Sequence, residues 1–261
     1  MRAVSVHRDA LVLTSRMWQT TATALRASGE SMLIDSPYFP DELELLPGVL
    51  AQAGFEVDAL VATHGDFDHL LGRLAFPRLA LGVAESTMER FHRSPGEPQR
   101  ELRETDARFY VQRPGALGLG QVQALPVPGR LELGDAELEL HPTDGHTADG
   151  LAVLARFCSV LVVGDYLSDV EIPMISATGS IEGYRATLAR LAPLVEEATT
   201  VVPGHGAPQD RETALRVLDE DLSYLDALER GDERPALPHG RDNAEQRRIH
   251  AGNLTRAARS V

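Results

Sequence analysis

The sequence predicts an α+β fold, and three observations carry that prediction. The chain opens with short strand-like runs joined by turns. Four later strand-like runs each end in histidine or aspartate beside glycine. Helical stretches follow these runs, as expected where strands and helices are packed in layers.

Residues 3–6 and 11–13 read as strands joined at Arg8 and Asp9. Residues 20–27 and 31–34 read as a hairpin around Ser28, Gly29 and Glu30. Asp35, Ser36 and Pro37 end it with turn residues. Tyr38 and Phe39 read either as a pocket wall or as ordinary packing. Residues 41–53 predict a helix, interrupted or restarted at Pro47 and ended at Gly54.

The apolar run 57–62 reads as a buried strand. It stops at Thr63-His64-Gly65-Asp66-Phe67-Asp68-His69, which offers two imidazoles and two carboxylates in close succession. Burying such groups together is costly without a counter-charge. A divalent cation removes the objection, because imidazole nitrogen and carboxylate oxygen both bind zinc, iron or manganese. Residues 70–74 continue as a short helix that would fix His69 on its first turn. Residues 79–83 read as a strand and 84–92 as a helix, with His92 solvated among Glu89, Arg90 and Arg93.

Residues 94–120 change character. Pro95, Pro98, Pro114 and many charges, with little periodicity, predict a long loop covering a site. Residues 121–125 and 131–133 read as strands. Residues 136–141 alternate Glu137 and Glu139 with Leu138 and Leu140, a half-buried strand. His141 at its end reads as structural or orienting, and the run leads to His146. Residues 151–155 and 160–163 read as strands, the second ending in Gly164-Asp165-Tyr166. Residues 168–178 form a loop, and Ser180 caps a helix over 181–195. The strand 200–202 presents His205 between two glycines. Residues 211–228 and 244–258 read as amphipathic helices separated by a Pro- and charge-rich linker at 231–240, with His239 and His250 on the surface. Residues 1–230 are expected to form one catalytic domain and 231–261 a linker and helical appendage.

Ligands gather outside the carboxyl ends of strands in open αβ architectures. Four such ends in this order form a constellation that resembles the metallo-β-lactamase-fold superfamily of binuclear metallohydrolases. Its first motif, His-x-His-x-Asp-His, is matched by His64, Asp68 and His69. A lone His, a bridging Asp and a final His are matched by His146, Asp165 and His205. Asp66 departs from the pattern, standing where the family usually has histidine. The resemblance implies a four-layer αββα sandwich. It also implies that His64, Asp66 and His146 hold one ion and Asp68, His69 and His205 another, with Asp165 between them. Asp35 would orient a ligand from beneath, a role weighed equally against a turn or cap aspartate.

The implied reaction is hydrolysis of an ester, thioester or lactone. A water held between the ions and ionised near neutral pH attacks the acyl carbonyl. Asp68 also holds that water, and Tyr166 is a candidate donor to the developing oxyanion. Zinc is the first expectation. Asp66 adds a negative charge and a harder donor, which turns preference toward iron or manganese. An iron-dependent oxygenase or oxidoreductase, or a non-catalytic relative, is therefore the alternative. The absence of a lysine for a substrate carboxylate, and Asp165 where a true β-lactamase would carry Cys, argue against β-lactam hydrolysis.

Composition narrows the classes further. The 261 residues carry a net charge of −14, which disfavours a nucleic-acid partner. All 25 basic residues are arginine, which excludes Schiff-base and P-loop lysine chemistry. The one cysteine, Cys158, lies in an apolar stretch and reads as a core residue. With no apolar leader and no run of bilayer length, the expectation is a cytoplasmic protein acting on a small molecule, without a membrane partner.

Overall fold

The structure, a computed structural model, describes residues 1–258. Among them, one sheet runs in sequence order: β1 (Arg2–His7), β2 (Ala10–Thr14), β3 (Thr21–Ala27), β4 (Glu30–Asp35), β5 (Val57–Val61), β6 (Leu81–Ala84) and β7 (Val122–Leu125). Pairing is antiparallel from β1 to β4 and parallel from β4 to β7. The second sheet contains β8 (Gly129–Leu133), β9 (Ala136–Pro142), β10 (Leu151–Ala155), β11 (Val160–Val162), β12 (Thr200–Val202) and β13 (Gln209–Asp210), in the order β13-β12-β11-β10-β9-β8. Only β11 and β12 pair parallel in it.

The helices are α1 (Pro40–Gln52), α2 (Gly72–Ala75), α3 (Glu85–Arg93), α4 (Glu97–Arg108), α5 (Ile181–Glu197), α6 (Arg211–Glu229) and α7 (Ala244–Ala257). Side chains alternate across a strand, and that alternation explains the layers. Leu11 and Leu13 of β2 face outward to Leu43, Leu46 and Leu50 of α1. Ala10 and Val12 face inward, sharing a core with Leu138, Val153 and Val162 of the second sheet. Ala152 and Leu154 of β10 turn outward to Leu188 and Leu191 of α5 and Leu225 of α6. Each fully buried leucine contributes about 1.5–3 kcal/mol. The result is the expected four-layer αββα sandwich.

Several helix starts are capped as their sequences require. Ser180 accepts from Gly183 N–H, Asp210 from Thr213 N–H, and Asn243 from Glu245 and Gln246 N–H. Helix α1 runs through Pro47 as one element instead of restarting there. His69 ends a short 3-10 turn, Phe67–His69, ahead of α2.

Two further expectations fail. The 94–120 segment is not one long loop, because α4 occupies its first half. Only Pro98 and Leu102 of α4 are buried, so its charged remainder hides the helical period. Its C-terminal end is pinned by Asp106, which accepts from Tyr38 Oη at 2.8 Å and from Arg113 Nε at 2.7 Å. His250 is buried rather than on the surface, with Nδ1 3.1 Å from the Tyr224 hydroxyl where α7 meets α6.

Helix α7 also braces the 168–178 loop. Gln246 Oε1 accepts from Ile172 N–H at 2.8 Å, and Asn253 Oδ1 from Ile175 N–H at 2.9 Å. Asn253 Nδ2 donates to Pro173 O at 2.7 Å.

Candidate metal centre

The predicted ligands lie in loops after four strands: His64, Asp66, Asp68 and His69 after β5, His146 after β9, Asp165 after β11 and His205 after β12. The fold brings all seven together. His64, Asp66 and His146 offer donor atoms within 4.8 Å of one another, and so do Asp68, His69 and His205.

In the first group, Asp66 Oδ2 lies 3.6 Å from His64 Nε2 and 3.4 Å from His146 Nε2. In the second, Asp68 Oδ2 lies 3.7 Å from His69 Nε2 and 3.4 Å from His205 Nε2. Asp165 faces both. Its Oδ1 is 3.2 Å from His69 Nε2, and its Oδ2 is 3.4 Å from the Nε2 atoms of both His146 and His205. Two donors bound to one zinc at tetrahedral angles are about 3.3 Å apart, so these separations suit shared ions.

Three of the four rings are tied down at their outer edge by a hydrogen bond, and the fourth, His69, stands beside a carboxylate. His146 Nδ1 is 2.9 Å from Met174 O, and His205 Nδ1 is 3.1 Å from Trp18 O. His69 Nδ1 is 3.1 Å from Asp35 Oδ2. The Thr63 hydroxyl donates to Asp35 Oδ2 at 2.9 Å, which leaves its oxygen to accept from His64 Nδ1 at 3.1 Å. In His64, His146 and His205 the outward hydrogen bond of Nδ1 leaves Nε2 free to face the centre, whereas His69 Nδ1 stands beside Asp35 without a hydrogen bond. The buried Nε2 atoms of His64, His69 and His146, and Asp165 Oδ1, have no hydrogen-bond partner. Buried polar atoms are rarely left in that condition. Their convergence fits divalent cations. Gly204 keeps the space open, because a Cβ there would stand 2.1 Å from Asp165 Oδ1.

Electrostatics agree. Burial opposes charge on the imidazoles, yet the carboxylates overcome it. His146 is pushed up to about 9 by Asp66 and Asp165, and His205 to about 10 by Asp165 and Glu171. Burial would raise Asp66 and Asp165, but the imidazoles hold both well below the usual carboxylate range. A site that draws protons onto buried imidazoles has a demand for positive charge, which a bound cation meets.

Asp35 sits beneath the ligands, where it accepts from Thr63 N–H at 2.8 Å and stands 3.1 Å from His69 Nδ1. Tyr166 is buried, and its hydroxyl accepts from His146 N–H at 2.9 Å, a bond that ties the phenol to the ligand loop. His141 lies outside the donor groups, and Cys158 is buried with burial pushing its thiol up to about 12.

Sequence reasoning missed Arg90, Asp149 and Glu171. Arg90 Nη1 donates to Asp66 Oδ1 at 2.7 Å and to Asp149 Oδ1 at 3.1 Å. Its helical position, one turn after buried Thr87, was the available signal. Asp149 Oδ2 accepts from Gly65 N–H at 2.9 Å and Thr87 Oγ1 at 2.8 Å, fixing the backbone of the first motif. Its nearness to His146 in sequence was the only clue. Glu171 lines a small cleft with His146, Asp165, Met174 and His205.

The family profile described as the metallo-beta-lactamase superfamily matches residues 16–205, a span that includes every candidate ligand. Among solved structures, a metallo-beta-lactamase family protein from Thermus thermophilus is 20% identical, with a TM-score of 0.64, covering 87% of this chain and 83% of its own. The DIM-1 metallo-beta-lactamase is 19% identical, with a TM-score of 0.61 and coverage of 85% and 97%. A metallo-beta-lactamase from Pontibacter korlensis is also 19% identical at 0.61, with coverage of 84% and 97%. At these identities the likeness is one of fold. A search of curated proteins found no match. The match over 16–205, on this sandwich, makes the chain a member of the metallo-beta-lactamase superfamily.

Proposed function

We propose that the chain is a binuclear metal-dependent hydrolase of an ester, thioester or lactone. The observation that carries this reading is the convergence of orphaned Nε2 atoms on Asp165 from two sides. In this reading His64, Asp66 and His146 hold one ion, Asp68, His69 and His205 the other, and Asp165 is shared. Bound divalent ions would supply an ionisable water as nucleophile and a Lewis acid for the acyl oxygen. Zinc is the preferred occupant, the metal this superfamily usually binds.

The chain's own residues do the rest. The four outward Nδ1 contacts preset the imidazoles, so little reorganisation is needed on binding. Asp68 orients the attacking water. Burial of the donors keeps the effective dielectric low, which strengthens each charge interaction there. The substrate is a small molecule, and the net charge of −14 disfavours a polyanion. No described helix is long and apolar enough to cross a membrane, and we place the protein in the cytoplasm.

The test is a hydrolysis screen of esters, thioesters and lactones with the protein loaded with zinc, beside a His146→Ala control. Turnover that disappears with His146→Ala supports the reading. Turnover that survives removal of metal refutes it. Asp66 favours one second reading, an iron-dependent oxygenase or oxidoreductase, which would show as bound iron and oxygen consumption without hydrolysis.

A further inference from the structure

Asp66 turns its two oxygens in different directions. Oδ2 faces the His64 and His146 Nε2 atoms, while Oδ1 takes a hydrogen bond from Arg90 Nη1 at 2.7 Å. Arg90 is itself anchored away from the centre. Its Nη1 also reaches Asp149 Oδ1 at 3.1 Å, and its Nη2 reaches Glu97 Oε1 of α4 at 3.1 Å. Its side chain is only 11% exposed. Asp149 cannot swing away, because Gly65 N–H and the Thr87 hydroxyl hold its other oxygen. The guanidinium is thus positioned by α3, α4 and the loop after β9, independently of any ion.

We propose that Arg90 is a positioning residue of the metal centre: it holds Asp66 as a one-oxygen donor and offsets part of the charge by which Asp66 differs from histidine. The inference rests on the reading that His64, Asp66 and His146 hold an ion. An unrestrained carboxylate is free to close both oxygens on one cation. Capture of Oδ1 by a guanidinium leaves one oxygen for that purpose, as a histidine would offer one nitrogen. Asp66 adds one negative charge to those of Asp68 and Asp165, and Arg90 sets one positive charge in direct contact, shared with Asp149 and Glu97. The shift toward harder metals expected of an isolated aspartate is thus partly offset.

The test uses zinc and cobalt(II) as probes on the full chain, in Arg90→Ala, Arg90→Lys, Asp66→His and the double variant Asp66→His/Arg90→Ala. Circular dichroism verifies folding. In Arg90→Ala, Asp66 closes both oxygens on the ion. The visible absorption of the cobalt-loaded protein should weaken as coordination rises. Arg90→Lys keeps the charge at Oδ1 and should restore the wild-type spectrum. Asp66→His removes one of the three carboxylates paired with Arg90 and leaves its Nη1 facing the ion site, which should weaken zinc binding about tenfold. The double variant should recover most of that loss. The proposal is overturned if Arg90→Ala leaves the cobalt spectrum unchanged, or if the double variant binds zinc no more tightly than Asp66→His. Should Asp66→Ala and His146→Ala bind zinc like the wild type, the ion site itself is misassigned. That failure is separate from one confined to Arg90.

Discussion

Removal of Asp35 should damage the metal centre without touching a donor atom that faces an ion. Asp35 is buried at the end of β4 and accepts from Thr63 N–H at 2.8 Å and from the Thr63 hydroxyl at 2.9 Å. Its Oδ2 also stands 3.1 Å from His69 Nδ1. In Asp35→Ala, two buried donors of Thr63 lose their acceptor. At about 1–3 kcal/mol for each unsatisfied group, the expected destabilisation is about 2–6 kcal/mol. Loss of the outer partner of His69 should weaken metal binding about 10–100-fold. Asp35 has φ +60°, a conformation that asparagine tolerates better than alanine. Asp35→Asn also keeps one acceptor oxygen, so it should fold well and lose less stability while still binding metal more weakly. Thermal unfolding and a competitive chelator titration on both variants measure the two effects. An Asp35→Ala protein with wild-type zinc affinity would refute the claim that Asp35 orients His69.

Other perturbations follow from the same geometry. Asp165→Ala and His146→Ala should each abolish activity and lower bound metal, read by turnover and elemental analysis. Tyr166→Phe should cost about 1–3 kcal/mol by leaving His146 N–H unpaired. It should reduce turnover less than about tenfold, whereas loss of an oxyanion donor costs about 10²–10³. Asn253→Ala removes three hydrogen bonds, including those to Ile175 and Pro173. Met174 O, the partner of His146 Nδ1, lies between those two residues, so the variant should lose metal affinity as well as stability. Metal-free protein should show its own pH profile. His146 and His205 are raised above their usual 6.5 to about 9 and 10, so their stabilisation is complete below pH 6.5 and is lost as pH rises through those values. Asp66 and Asp165 are lowered, so theirs is present above the usual 3.8 and is lost on acidification. Unfolding temperatures of chelator-treated protein should fall between pH 6.5 and 10.

The strands were legible because alternation and strand-end glycines are local signals. Glu137 and Glu139 against Leu138 and Leu140 already announce two faces, and the structure buries the two leucines. The donor loops were legible for the same reason, since four of the seven donors fall within one short stretch. What sequence could not show was partnership at long range. Arg90 lies in a charged stretch that resembles a solvated face, and only the fold reveals Asp66 and Asp149 beside it. Helix α4 was hidden because it buries Pro98 and Leu102 alone. His250 was read as exposed because its cover, Tyr224, comes from another helix. Tyr166 follows Asp165 directly, yet the turn carries its hydroxyl to His146 N–H. Adjacency in sequence was a poor guide there to direction in space.

The central claim is that two donor groups joined by Asp165 hold two divalent ions. Elemental analysis of protein expressed with zinc, iron and manganese all available tests it most directly. The account predicts two metal equivalents per chain, chiefly zinc, with His146→Ala and Asp165→Ala each markedly reduced. Protein that purifies without metal, and takes up none on exposure to all three ions, would contradict it.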